Sequence, residues 1–373
     1  MNTDHELLLE KMTLEEKVSL MTGRGIWDAN PVDRLEIPAL KVTDGPNGAR
    51  GAGLLGTGIP ALCIPCGSAL GATWNPSLIE KLGQALAIET RARACHVLLA
   101  PTVNIHRTPL GGRNFECYSE DPYLTGRIAV SFIKGVQSEK VGTTIKHFVA
   151  NDSEFERHSI DSQVPERALR EIYLRPFEMA VKEAEPWGIM GSYNRVNGTY
   201  ACENPRLLTE ILREEWGFTG IVVTDWYAAK TTIEMAQAGL DLEMPGPGRF
   251  YGSRLVEAVQ KGEVSEEIIN EAVKHNAYEV FLPRMLLAKK GHIIIMSSIT
   301  AWIGLPKAAA YGPTKAALRS FAQSIRYDLN SKGIKVQVCS PGFVETAATS
   351  VNDFYMPGLL KADKAARLIY KYM

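Results

Sequence analysis

Residues 220–226 read Gly-Ile-Val-Val-Thr-Asp-Trp, a β-branched apolar run that stops at a carboxylate, Asp225, with Trp226 beside it. A short run of this kind, without polar alternation, fits a parallel strand covered on both faces. Working outward, Leu40–Thr43, His96–Pro101, Thr143–Phe148, Gly188–Tyr193 and Leu240–Met244 are further candidate strands. Helical patterns separate them, which is the signature of an α/β fold. Several strands end on polar groups: Asp44, Asn104, Lys146-His147, Tyr193 and Asp225. Polar groups gathered at the carboxyl ends of parallel strands are where a TIM-type (β/α)8 barrel builds its active site. That architecture is predicted for residues 1–275.

The intervening helices carry start and stop signals. Asn75-Pro76 reads as a cap followed by proline in the first turn, with Leu78, Leu82 and Leu86 at helical spacing. Arg206–Trp216 places Leu208, Ile211 and Leu212 inward, with Gly217 closing the helix. Pro165 opens another, with Leu169, Ile172 and Phe177 inward, and Pro176 is expected to kink or end it. The loops Asp44–Gly51, DGPNGARG, and Leu110–Pro122, LGGRNFECYSEDP, are long and charged, which points to a binding site.

Composition narrows the function. The 373 residues are 45% hydrophobic and 22% charged, with 41 Lys plus Arg against 42 Asp plus Glu. That balance gives no electrostatic reason to expect nucleic acid or an anionic membrane. No apolar run reaches the length of a membrane span. The polar N-terminus does not read as a secretory signal. Six cysteines, including Cys63 and Cys66, suggest neither a disulfide scaffold nor a metal site. His96 and His106 lack ligand-like pairing, so no metal is expected. A cytoplasmic protein is the expectation.

Cleaving a glycosidic bond passes through an oxocarbenium-like transition state. One carboxylate must stabilise or attack it, and one acid must protonate the leaving oxygen. Sugar hydroxyls call for charged and bidentate partners. Asp225 at a barrel mouth, with the flat indole of Trp226 and with Asp44, Arg113, Lys146, His147 and Tyr193 at other strand ends and loops, could converge on one pyranose. Each residue also has a plainer use. Arg113 could fix its loop through Glu116 or Glu120, Lys146 and His147 could form a barrel-end salt bridge, and Asp225 could cap a helix.

From Leu7 to Val273 the chain resembles family 3 glycoside hydrolases of the β-glucosidase type. The matching words include RLEIPALKVTDGPNGARG, LAPTVNIHRTPLGGRNFECYSEDPYLTG, IKHFVANDSEFER, SYNRVNG, LREEWGFTGIVVTDW and AGLDLEMPGP. The resemblance implies that Asp225 is the nucleophile of a retaining mechanism. It implies that Asp44, Arg113, Lys146, His147 and Tyr193 bind the non-reducing sugar of a β-glucoside or other small carbohydrate, that Trp226 lines the same site, and that no cofactor takes part. Arg107 and Arg157 are further carry-overs. In this family the acid/base Glu comes from a second domain after the barrel. This chain has no match to it, so impaired hydrolysis is expected. Asp241 and Glu243, in LDLEMP, are read as structural rather than as substitute acids.

Residues 276–373 change character. His292–Met296 and Lys335–Cys339 are apolar strands with a helix between about Tyr311 and Asn330, a partial Rossmann-like βαβ segment. Tyr311 and Lys315 lie four apart and share a helix face, where an ammonium lowers a phenol pKa for proton transfer. Ser298 ends a strand and could bond the same oxygen. GHIIIMSSITAWIGLPKAAAYGPTKAAL and VQVCSPGFVET resemble the latter half of a short-chain dehydrogenase/reductase. The resemblance makes Ser298, Tyr311 and Lys315 its catalytic trio, with NAD(P) as cofactor under that alternative only. No glycine-rich turn for a dinucleotide is found. The chain reads as a chimera, and the exposed edges of a half sheet make self-association plausible.

Overall fold

The computed structural model describes residues 9–35, 37–51, 59–276, 291–298 and 334–341, with shorter stretches between 315 and 367. Contacts divide the chain into two units, Lys11–Pro283, and Arg284–Met373 together with Met1–Glu10.

The first unit is built on a curled parallel sheet. Its strands are β1 (Val42–Asp44), β2 (Val97–Leu99), β3 (Gly142–Phe148), β4 (Gly188–Gly191) and β5 (Ile221–Thr224), side by side in that order. Every residue of β2 to β5 is buried, which is why these runs lack polar alternation. Single bridges complete the ring. Leu242 joins β5, Glu243 pairs in parallel with Thr22, Gly23 pairs antiparallel with Ala29, and Asp28 pairs antiparallel with Lys41. The barrel therefore closes through an antiparallel segment.

Leu240–Met244, read as a strand, contributes two single bridges, Leu242 to Val223 and Glu243 to Thr22, in place of a continuous ladder. The Asp241 side chain captures a backbone donor that a ladder would use, and the Glu243 side chain holds the following loop. Asp241 Oδ2 accepts from Val222 N at 2.6 Å, and Glu243 accepts from the N–H groups of Arg249, Phe250 and Tyr251. Arg213 and His275 also hold the Asp241 carboxylate. Both acids are buried at 2% exposure, in the structural role expected of them.

Two long helices lean on one side of the sheet. Helix α1 (Pro76–Ala92) starts where predicted, with Asn75 Oδ1 accepting from Leu78 N at 3.1 Å. Its inward face is rotated from the expected one. Ile79, Gly83, Leu86 and Ala87 are buried, whereas Leu78 is exposed. Helix α2 (Pro122–Ser138) packs across it, capped by Asp121. Gly83 and Gly135 sit where the two backbones touch. A Cβ on Gly83 would stand 2.7 Å from Phe132 O, and one on Gly135 would overlap the Glu80 carbonyl.

The segment after Pro165 bends as expected. Leu169–Tyr173 winds with wider π-type bonding before α3 (Arg175–Ala184), which absorbs the N–H that Pro176 lacks. Leu169 and Phe177 face inward, but that widened turn carries Ile172 outward. In Arg206–Glu215, Leu208, Ile211 and Leu212 are fully buried, and Gly217 ends the helix at φ +74°.

In the second unit β6 (Gly291–Met296) pairs in parallel with β7 (Ile334–Cys339). Parallel neighbours need a crossover connection, in keeping with the helical residues described between 315 and 326. Ser297 ties the end of the pair together, donating from its N–H to Cys339 O and from its hydroxyl to Lys315 O. Among the described residues no helix is long and apolar enough to cross a membrane.

Candidate active site

The carboxyl ends of β1 to β5 bring most of the predicted residues into one cluster. Asp225 follows β5, its N–H bonded to Gly191 O of the neighbouring strand. It does not cap a helix. Its Oδ1 accepts from the adjacent Trp226 N at 2.7 Å, and the next helix begins only at Ile233. The side chain is 11% exposed. Its other oxygen, Oδ2, is buried without a hydrogen-bond partner.

Lys146 and His147 are successive residues of β3, where side chains should alternate faces. The pairing register with β4 shifts between Lys146 and Phe148, an irregularity of the kind that re-aims side chains. Lys146 Nζ donates to Asp44 Oδ1 at 2.7 Å. His147 Nε2 lies 3.5 Å from Asp225 Oδ2. Arg113 reaches in from its loop, donating from Nε to Glu116 Oε1 and from Nη2 to His147 Nε2. Glu116 is fixed in turn by Thr102, whose hydroxyl donates to Oε2 at 3.0 Å. The loop-fixing ion pair and the barrel-end salt bridge are therefore both present, within the same cluster.

Electrostatics differ sharply between the carboxylates. Burial raises the Asp225 carboxyl above the ordinary range, and the Lys146 and Arg113 charges offset only part of that rise. Burial also opposes the charge on Asp44, but Lys146, bonded directly to it, holds its carboxyl below the usual range. His147 is held well below the usual imidazole range, first by burial and then by Arg113, Lys146 and Arg157. Tyr193, two residues past β4, interacts with Asp225 and Arg157, and its phenol is raised first by burial and then by the Asp225 charge.

Trp226, half-buried, is anchored from the side of the barrel interior. Its indole Nε1 donates to Ile26 O, its ring leans on Trp27 with centroids 5.4 Å apart, and it packs on the apolar interior of Leu40, Leu99, Val223 and Met244. Its backbone N–H serves Asp225. Sequence reasoning missed Glu154, whose Oε2 accepts from Arg157 Nη1 at 2.8 Å while the Arg157 guanidinium lies 4.5 Å over the Tyr193 ring. The three-residue spacing of Glu154 and Arg157 was the available signal.

Residues 12–277 match the glycosyl hydrolase family 3 N terminal domain. The chain belongs to glycosyl hydrolase family 3. Over 267 residues it is 57% identical to a beta-glucosidase of Rhizobium radiobacter, covering 72% of this chain and 33% of that protein. Probable beta-glucosidase J of Aspergillus fumigatus is 51% identical over 267 residues, 72% of this chain and 31% of its own. The beta-glucosidase of Kluyveromyces marxianus, solved in complex with glucose, superposes with TM-score 0.74 at 42% identity, covering 76% of this chain and 34% of that one. This member of family 3 thus spans about a third of the length of the curated relatives it matches. Residues 263–353 match the short chain dehydrogenase family. Of the trio expected there, Ser298 is buried and Lys315 half-buried, while Tyr311 lies outside the described residues.

Proposed function

We propose that the Lys11–Pro283 unit binds the terminal glucosyl residue of β-glucosides and cleaves it with retention, Asp225 acting as nucleophile. The observation that carries this is Asp225 Oδ2, a buried carboxylate oxygen without a hydrogen-bond partner at the carboxyl end of β5. An unsatisfied buried acceptor is costly and calls for an external partner. In the first step Oδ2 bonds to the anomeric carbon as the bond to the leaving oxygen breaks. Water then attacks the anomeric carbon from the face the leaving group vacated, opposite the carboxylate, breaking the bond to Oδ2 and losing its proton to solvent, so the configuration is retained. Lys146 Nζ, with one of its three donors given to Asp44, and Arg113 Nη1, buried without a partner, are the open donors for sugar hydroxyls and for developing charge. Asp44, His147 and Tyr193 complete the sugar-binding set.

The carboxylates bonded into this cluster are committed to cations, Asp44 to Lys146, Glu116 to Arg113 and Glu154 to Arg157. None of the three is held ready to protonate a leaving oxygen. Aryl glucosides with good leaving groups should therefore turn over fastest, and alkyl glucosides slower by about 10²–10⁴-fold. The test is trapping with an activated 2-deoxy-2-fluoro glucoside. Mass spectrometry should find the adduct on Asp225, and an adduct elsewhere, or none, overturns the assignment.

The short chain dehydrogenase match supports a second reading, an NAD(P)-dependent oxidoreductase site using Ser298, Tyr311 and Lys315. Among the described residues no glycine-rich strand-to-helix turn is present to take a pyrophosphate, so no step is derived through the dinucleotide. Titration of NADPH fluorescence tests it, and an unsaturable signal removes it.

A further inference from the structure

The loops that follow β4 and β5 carry a second group of charges beyond Tyr193. Arg195 lies two residues past Tyr193, and Lys230 lies five past Asp225. Both cations sit over one ring. The Arg195 guanidinium is 4.6 Å from the Tyr200 centroid, with its Nη2 donating to the Tyr200 hydroxyl at 3.2 Å, and Lys230 Nζ is 5.5 Å from the same centroid. Among the described residues neither forms an ion pair within 4.0 Å. All three side chains are half-buried and so reachable by a ligand.

The group adjoins the cluster around Asp225. His158 meets the Tyr193 ring edge-on at 4.4 Å and feels the charges of Arg157 and Lys230. The nearby acids do little to neutralise it. Glu154 is bonded to Arg157. Glu203 feels the Lys230 charge but makes no ion pair with it within 4.0 Å, and Asp161, opposite Arg195 across the strand pair, gives its carboxylate to Gly198 N and Gln163. Two cations that share one ring and have no paired carboxylate favour an anion that can join them. A tyrosine ring offsets only part of their mutual repulsion.

We propose that Arg195 and Lys230 form an anion-reading subsite for a carboxylate on the leaving group of a glucoside held at Asp225. The proposed sugar donors, Lys146 and Arg113, come from β3 and the Arg113 loop, and the acceptor Asp44 from β1, so a group extending past Tyr193 leaves them and meets the loops after β4 and β5. The inference rests on the glucoside reading above and adds the class of aglycone.

The experiment compares 4-carboxyphenyl and 4-carbamoylphenyl β-glucosides, a charged and a neutral ligand of nearly equal shape. Binding is followed by intrinsic tryptophan fluorescence on the full chain and on Lys230→Met and Arg195→Met variants. At low salt the carboxylate should bind about 3–10-fold tighter than the amide, and the ratio should collapse toward one at roughly 1 M salt. Each variant should also bring the ratio toward one. Because the readout is a ratio between two ligands on the same sample, partial loss of folded protein cancels. Equal affinities in the parent chain, or a preference that survives both substitutions, overturn the subsite while leaving the glucoside reading intact. Failure of both glucosides to bind overturns both readings.

Discussion

His147 Nε2 accepts a hydrogen bond from Arg113 Nη2 at 2.9 Å, so this nitrogen spends its one lone pair on Arg113 and carries no proton to offer Asp225 Oδ2, 3.5 Å away. Arginine can only donate, which fixes the role of Nε2. The other ring nitrogen agrees. Nδ1 faces Asn104 Oδ1 at 3.1 Å, and that oxygen also accepts from His147 N while Asn104 Nδ2 donates to His147 O. Asn104 is thus oriented by the backbone and selects the Nδ1–H tautomer. The close approach of His147 to Asp225 is therefore no ion pair. His147 acts as a neutral prop for Arg113, and the charges that bear on Asp225 are those of Lys146 and Arg113.

A buried carboxylate with one oxygen unpartnered should cost the fold stability that its chemistry requires. The folded-state pKa of Asp225 is raised, so the native state holds a proton more tightly than the unfolded chain. Stability is then lost as pH rises from the ordinary carboxylate range through the raised value. Asp225→Asn removes the charge and keeps the shape. It should melt at a higher temperature than the parent at pH 7, with the gain shrinking as pH falls toward 4. Aryl-glucoside turnover should fall on the order of 10³-fold or more. A variant that melts lower at pH 7 contradicts the electrostatic account, whatever its activity.

Much of this was legible from local pattern, and the exceptions have local causes. Strands β1 to β5 announced themselves because each is a short apolar run, and Asp44, Lys146, His147, Tyr193 and Asp225 because each closes such a run. Leu240–Met244 pairs only at Leu242 and Glu243 because the Asp241 carboxylate takes the Val222 N–H that a longer ladder would use. The inward face of α1 was misplaced because the closest contact is made at glycine, Gly83, which carries no hydrophobic signal. The direction of the Trp226 ring depends on Ile26, 200 residues earlier, and no spacing rule reaches that far.

Lys146 bears on two carboxylates at once, and its removal should show in a pH profile. It bonds Asp44 directly and opposes the rise at Asp225. With Lys146→Met, burial acts on Asp225 with less opposition, so its pKa climbs further. The acid limb of kcat/KM for an aryl glucoside, which reports the free enzyme, should move to higher pH. An acid limb that stays in place would mean that another group sets it.

Glu116 is predicted to matter for folding as much as for binding. Its carboxylate, 9% exposed, joins Arg113 to Thr102. Glu116→Gln leaves the Arg113 guanidinium partly buried without its counter-charge, a loss of roughly 3 kcal/mol at the lower end for broken buried pairs, since Arg113 keeps some contact with water. In a domain of this size that corresponds to a fall of about 6–12 °C in melting temperature. A change under about 2 °C would show that the pair is replaceable by solvent.

The seam between α1 and α2 offers a case in which two effects oppose each other. Replacing a glycine inside a helix by alanine ordinarily gains about 1 kcal/mol from propensity. At Gly135, however, the new methyl would overlap the carbonyl of Glu80, and the three nearest atoms are all backbone. Backbone cannot rotate away as a side chain can, so the helices must part along a seam where Ile79, Leu86, Phe132 and Val136 are all fully buried. Overpacking of this kind costs about 1–3 kcal/mol. Gly135→Ala should therefore lower the melting temperature despite its better helix propensity. The control is Gly262→Ala, at φ +75° with no atom within 4 Å of the added methyl, where any loss comes from backbone conformation alone. If Gly135→Ala is stabilising, the two helices do not approach as closely as their backbones are placed here.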